Sequence, residues 1–151
     1  MKPNFATDLK AGQAGELAVQ KLWPELELLH GHGADAKLPN GELVEIKCDS
    51  YAHDKTGNFF IEYLGNIETG KYGGPWKASV DGCKYFVYYF SNPGIAYVFE
   101  TDDLLIQIQS YIMANNPNLV EIQNKRWVTV GYKMQRSAFT PLRVLHRKAD
   151  K

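Results

Sequence analysis

Apolar positions recur along the chain with two periods, two residues in some stretches and between three and four in others. From Glu42 to Cys48 apolar and polar residues exchange places one by one. This predicts a strand with Val44 and Ile46 on one face and Glu45 and Lys47 on the other. Asn58 to Leu64 is a further strand, rich in aromatic and β-branched residues. Lys84 to Phe90 and Ile95 to Glu100 form a hairpin joined by Ser91-Asn92-Pro93-Gly94. Helical spacing runs from Asp8 to Trp23, with Leu9, Leu17, Ala18 and Leu22 on one face. Thr7 or Asp8 can cap this helix, and Pro24 stops it. A second helix is expected from Thr101, its cap, to Ala114. Leu104, Leu105, Ile108, Tyr111 and Ile112 face inward, and Asp102 and Asp103 sit at its positive end.

Turn residues set how these pieces connect. Glu25 to His30 and Ala34 to Leu38 read as short strands separated by Gly31-His32-Gly33, and Pro39-Asn40-Gly41 predicts a tight hairpin into the strand that follows. Gly65 to Lys77 holds four glycines and a proline and reads as a long loop, with a short helix from Ala78 to Gly82 after it. Asn115-Asn116-Pro117-Asn118 breaks the second long helix, and Arg126 to Met134 is one more strand. The order predicts a single α/β domain over residues 1–151, a mixed central β-sheet flanked by helices.

Composition narrows the class. With 44% hydrophobic and 23% charged residues in 151, the chain can build one continuous core. No run is apolar enough for a signal peptide or a membrane span, so an intracellular, cytoplasmic protein without a membrane partner is the expectation. Cys48 and Cys83 form no CxxC pair, which argues against a thiolate zinc site and for reduced thiols packed in or near the sheet.

The formal net charge of zero conceals a polarity. From Lys125 onward eight basic residues face one acid, Asp150, while the preceding part carries nine basic and sixteen acidic residues. Such a chain can attract phosphate with one surface and gather carboxylates around a cation on another. Lys125, Arg126, Lys133 and Arg136 are the candidate phosphate contacts in the basic segment 125–151, with a solvated tail as the alternative. Trp76 and Lys77, after Gly73-Gly74-Pro75, could offer a ring and a cation to a nucleic-acid strand; a ring folded back on the core is the other reading.

The stretch from Asp35 to Lys47 carries the chemistry. Glu45 and Lys47 share a strand face, and the turn at Pro39 to Gly41 folds Asp35 back beside Glu45. Two carboxylates held together need a proton or a cation between them. All-oxygen donors suit magnesium, which completes its shell with water and substrate phosphate. An ammonium at Lys47 can hold or deprotonate a water aimed at phosphorus, or offset the charge that builds there. A Glu-x-Lys triplet alone is more often an exposed ion pair; the combination with Asp35 and an early helical glutamate is what points to catalysis. His30 and His32 flank Gly31 nearby, but magnesium sites disfavour nitrogen.

Asp35 followed by Glu45-Ile46-Lys47 resembles the PD-(D/E)xK motif of the restriction-endonuclease-like nucleases, with Ala34 in place of the motif's proline. Glu16, within Gly15-Glu16-Leu17-Ala18, resembles the helical glutamate that many members place before it. The likeness extends, more weakly, through Gly57 to Glu62 and Gly74 to Asp81, in the manner of Holliday-junction resolvases and small phage nucleases. It implies a restriction-endonuclease-like fold and metal ligation by Asp35, Glu45 and the Ile46 backbone carbonyl. Lys47 would assist the water, and Glu16 would support a second metal or hold the first through water. The implied activity is hydrolysis of DNA phosphodiesters with Mg2+ or Mn2+, directed to junctions or branches and carried out by a homodimer. An exonuclease or nonspecific nuclease on the same scaffold, and a DNA-binding protein without cleavage, are the rival expectations.

Overall fold

The chain begins with helix α1 (Phe5–Leu22) and three strands in antiparallel succession, β1 (Glu27–Leu28), β2 (Ala36–Lys37) and β3 (Leu43–Ala52). Then come β4 (Asn58–Asn66), β5 (Lys71–Tyr72), helix α2 (Gly74–Val80), β6 (Cys83–Asn92), β7 (Ile95–Glu100) and helix α3 (Thr101–Asn115). Strands β8 (Val120–Gln123) and β9 (Val128–Gln135), a 3-10 turn at Arg136–Ala138 and β10 (Arg143–His146) complete the order. The computed structural model describes residues 5–31, 33–52, 57–124 and 126–146, the side chains of 5–12 and 50–52 excepted.

Two sheets result. One has the order β1-β2-β3-β6-β7-β10 and is mixed, because β3 and β6 run parallel while its other neighbours are antiparallel. The other, β5-β4-β9-β8, is antiparallel throughout. Strand β6 is buried from Phe86 through Phe90, as a strand in the middle of a sheet covered on both faces must be. On one face Val87 and Tyr89 join Val44, Ile46, Ala96 and Val98 against Val19 and Trp23 at the end of α1. On the other, Phe86, Tyr88 and Phe90 meet Phe59, Ile61 and Met134 of the second sheet, with Leu104 and Ile108 of α3. Phe59 is the hub: its ring stacks on Tyr88 at 4.6 Å and meets Phe99 and Phe139 edge-on. Burying rings and branched chains of this size contributes roughly 1.5–3 kcal/mol each, so this layer clamps the two sheets together.

The α/β class and the mixed sheet stand as expected, and several details change. The second sheet is new: β4 and β9 leave the central sheet and pair with each other from Asn58↔Gln135 to Leu64↔Val130. The stretch Gly65 to Lys77 is not one loop. It carries β5, and α2 begins at Gly74, because Pro75 fits the first helical turn where its missing N–H costs nothing. The short helix therefore occupies Gly74–Val80, ahead of the expected Ala78 to Gly82. Helix α1 starts by Phe5, so Thr7 and Asp8 lie inside it; Val19 and Trp23 form its buried stripe, and Leu17 is exposed. At α3 the cap position belongs to Glu100, and Thr101 sits buried in the first turn. Asn116 ends that helix in the left-handed conformation, as its Asn-Asn-Pro breaker suggests. Both cysteines are free thiols, Cys83 buried and Cys48 half-buried. No helix among the described residues is long and apolar enough to cross a membrane.

Candidate functional site

The site lies where β2 stops and β3 continues. The hairpin forms as its sequence dictates: Gly41 N–H donates to the Leu38 carbonyl at 2.9 Å, and Asn40 Oδ1 accepts the Glu42 N–H at 2.9 Å. Only Ala36 and Lys37 pair with β3, opposite Val44 and Leu43. Beyond them Asp35 N–H donates to the Val44 carbonyl at 3.1 Å, and Asp35 Oδ2 accepts the Ile46 N–H at 2.8 Å. A side chain thus replaces the next backbone partner and lies along the sheet edge, reachable from both faces. A strand residue sends its N–H and C=O to the same side, so the Ile46 carbonyl opens on that edge too.

Acids reach this edge from two directions. Glu45 projects from the β3 face that looks toward α2, and Glu16 comes from α1 across the other face. Helix α1 passes close to β3 there: a Cβ on Gly15 would run into Cys48 Sγ, and the glycine lets the next residue approach the edge. Asp35 lies close enough to both Glu16 and Glu45 to act on their charge. Burial first, then the hydrogen bond and charge of Asp35, push the Glu16 carboxyl up to about 7. The same causes push Glu45 up to about 9, although Lys77 pulls it back part of the way. Cys48, next to these acids, is held as a neutral thiol by burial and then by the charges of Glu16 and Asp35, with its pKa raised to about 11.

Helix α2 supplies the positive charge facing Glu45. Lys77 Nζ is 3.6 Å from Glu45 and 2.7 Å from Asp81, one helical turn on. Partial burial works to lower the Lys77 pKa, but the bond to Asp81 and the charge of Glu45 outweigh it, and the net shift is upward. Beneath the start of α2, Glu62 of β4 packs so closely that a Cβ on Gly73 would strike its carboxylate, and one on Gly74 its backbone carbonyl.

Lys47 follows Glu45 on the same face of β3 and opens, with Lys77, into a trough of about 920 Å³ laid against the second sheet. Phe60 and Glu62 of β4 contribute to it, as do Lys71 and Tyr72 of β5, and Arg126 and Trp127 before β9. Among the described residues Lys47, Lys71, Lys77 and Arg126 give this lining four cations against the one carboxylate of Glu62.

The residues expected from the sequence divide as follows. Glu16, Asp35, Glu45 and the Ile46 backbone meet at the edge, with Lys47 on the adjoining wall. Lys77 pairs with Glu45, and Trp76 turns back onto Tyr63, ring to ring at 4.9 Å, and onto the core. Arg126 lines the trough, and Lys133 stands opposite Phe60 in the β4–β9 register, which puts it on the same face of that sheet. Arg136 lies elsewhere, its guanidinium 5.2 Å from the centre of the Phe90 ring. His30 is exposed. Lys125 and His32 lie outside the described residues. The sequence reading missed the Lys77–Asp81 pair and the lining by Lys71, Tyr72 and Trp127. The i,i+4 spacing of Lys77 and Asp81 would have shown the pair once α2 was started at the proline.

Among the described residues no three His, Cys, Asp or Glu side chains stand as a ready-made ligand cage. Glu45 is turned to Lys77, 3.6 Å away, so ligation would require it to leave that partner. The donor chemistry fits a hard divalent cation: carboxylates and a carbonyl at a partly buried edge, all oxygen. No protein-family model matches this chain, and no curated protein matches it.

Proposed function

We propose that the protein is a metal-dependent DNA endonuclease of the PD-(D/E)xK kind, structure-directed and working as a homodimer on branched or junction DNA. One observation carries the reading. Asp35, held by the Ile46 N–H, has Glu16 and Glu45 beside it at a strand edge, and two residues beyond Glu45 on β3 Lys47 opens into a trough rich in cations. The restriction-endonuclease-like form of the fold belongs to the same proposal. Its support is the acid-bearing β2–β3 hairpin at the rim of a mixed sheet, followed by a glycine-led short helix.

Asp35, Glu45 and the Ile46 carbonyl would hold the Mg2+ or Mn2+, with Glu16 behind them. When bound, the ion supplies a Lewis acid for a phosphoryl oxygen and lowers the pKa of a water. The chain's own residues do the rest. Asp35 is fixed by the Ile46 N–H, so it presents one oxygen to the edge without rotamer freedom. Lys47 holds the attacking water against the phosphate or offsets the charge that develops on it. Lys77, released from Glu45 when that carboxylate turns to the edge, faces the incoming phosphate and keeps its charge through Asp81.

The test is incubation of the protein with a four-way junction, a linear duplex and single-stranded DNA, with and without Mg2+, beside Asp35→Ala and Lys47→Ala. Expected is Mg2+-dependent cutting, strongest on the junction and lost in both variants. Undiminished cutting by both variants moves the active site elsewhere. Intact DNA under every condition, with Mg2+ or Mn2+, leaves a binding protein.

A further inference from the structure

The trough starts at Lys47 and Lys77, next to the acids, and runs along the second sheet to the end where its turns meet. There the β4–β5 turn and the start of β9 are tied by Ile67 N–H donating to the Val128 carbonyl at 2.9 Å. Two large aromatic side chains stay open at this end, Tyr72 at 47% and Trp127 at 43% exposure. Both line the trough together with Lys71 and Arg126, so rings and cations share one concavity. Lys71 and Arg126 form no ion pair with an acid among the described residues that would consume their charge. Exposed aromatic faces beside cations can stack on nucleobases only when those bases are unpaired; in a duplex the faces are stacked away.

We propose that this trough binds a single-stranded segment of nucleic acid, with phosphates on Lys71 and Arg126 and an unpaired base on the ring of Trp127. The inference rests on the nuclease reading and deepens it. The substrate would be DNA with an unpaired stretch beside the cut, led along the second sheet to Lys47 and the acids. Occupation by a duplex or by an acidic protein segment is an outcome of the test.

The experiment is fluorescence anisotropy with a labelled twelve-residue oligothymidylate and a duplex of about the same length, in EDTA so that cleavage cannot contribute. The wild type is compared with Trp127→Ala, Trp127→Phe and a Lys71→Ala/Arg126→Ala double variant, with salt varied. All three positions are exposed, and far-UV circular dichroism checks that each variant is folded. The single strand is expected to bind at least about tenfold tighter than the duplex. Trp127→Ala should weaken it about tenfold or more, and Trp127→Phe should keep most of the affinity. The double variant should flatten the slope of log K against log salt by about 1.4, the value for two lost phosphate contacts on a single strand.

Duplex binding as tight as single-strand binding overturns the proposal, as does a folded Trp127→Ala protein that binds like the wild type. Binding of a polyglutamate peptide in place of the oligonucleotide overturns it as well. The nuclease reading is judged separately, by cutting in Mg2+. Trp127-dependent binding without cutting removes that reading and leaves the trough, and cutting without Trp127-dependent binding does the reverse.

Discussion

Asp35 Oδ2 accepts the backbone N–H of Ile46 at 2.8 Å and so takes the place of the strand residue that β2 no longer provides. The bond fixes an acid at a sheet edge that both Glu16 and Glu45 can reach. Two substitutions separate its structural and electrostatic parts. Asp35→Asn keeps an acceptor for Ile46 and is expected to leave stability within about 1 kcal/mol. Asp35→Ala orphans that N–H and should cost about 1–3 kcal/mol. On the proposed function both should lower DNA cleavage at least about a hundredfold, because both remove a charge that would hold the cation. Urea unfolding read beside single-turnover cleavage checks the pair.

The raised carboxyls make stability depend on pH in a defined direction. In the unfolded chain Glu16 and Glu45 release their protons near the ordinary value of 4.5, whereas folding holds them up to about 7 and about 9. The folded state binds more protons across that window. Stability contributed by these groups is therefore present at the acid end and lost as pH rises through the folded values. The unfolding midpoint of metal-free protein should fall between about pH 5 and pH 9 more steeply in the wild type than in Glu45→Gln. Mg2+ or Mn2+ should restore the midpoint at the alkaline end, where it no longer competes with protons. Equal slopes in the two proteins contradict this reading.

The parts legible in the sequence were those fixed by local chemistry. Alternation placed Glu45 and Lys47 on one face of β3, Asn40-Gly41 set the hairpin that returns Asp35 to it, and Ser91-Asn92-Pro93-Gly94 marked the hairpin of β6 and β7. What stayed hidden depends on contacts between distant segments. Nothing near Phe59 or Met134 says that β4 and β9 leave the central sheet to pair with each other, since their alternation fits either sheet equally well. Glycines at Gly65, Gly70, Gly73 and Gly74 read as loop although two of them serve close packing on Glu62. Arg136 looked like a surface cation until Phe90 and Tyr97 folded beneath it.

Lys77 stands 3.6 Å from Glu45 and is itself half open to solvent, so their interaction contributes no more than about 1 kcal/mol. Lys77→Met should change stability by less than that and tighten Mn2+ binding several-fold, since a competing cation is gone. DNA binding should weaken at the same time. Calorimetric Mn2+ titration and anisotropy on the same preparations would show whether the two affinities move in opposite directions.

Gly74 sits at a φ of +51°, where a Cβ would collide with the Glu62 backbone carbonyl. Backbone cannot swing aside as a side chain can. Gly74→Ala should therefore destabilise the protein by about 1–3 kcal/mol and displace the start of α2, taking Lys77 with it. Gly70→Ala, also at positive φ but with open space around it, separates the cost of conformation from the cost of collision. Chemical denaturation of the two variants makes the comparison.

The claim on which the rest depends is that Asp35, Glu45 and Glu16 form the seat of a divalent cation. Mn2+ titration of metal-free protein, followed by the loss of the free-ion electron paramagnetic resonance signal, measures it without reference to any substrate. The prediction is saturable binding in the wild type that is lost in Asp35→Asn, weakened at least about tenfold in Glu45→Gln and unchanged in Glu121→Gln, an exposed control on β8 of the second sheet. Binding of equal strength in all four proteins, or none in the wild type at pH values where the acids are ionised, would contradict it.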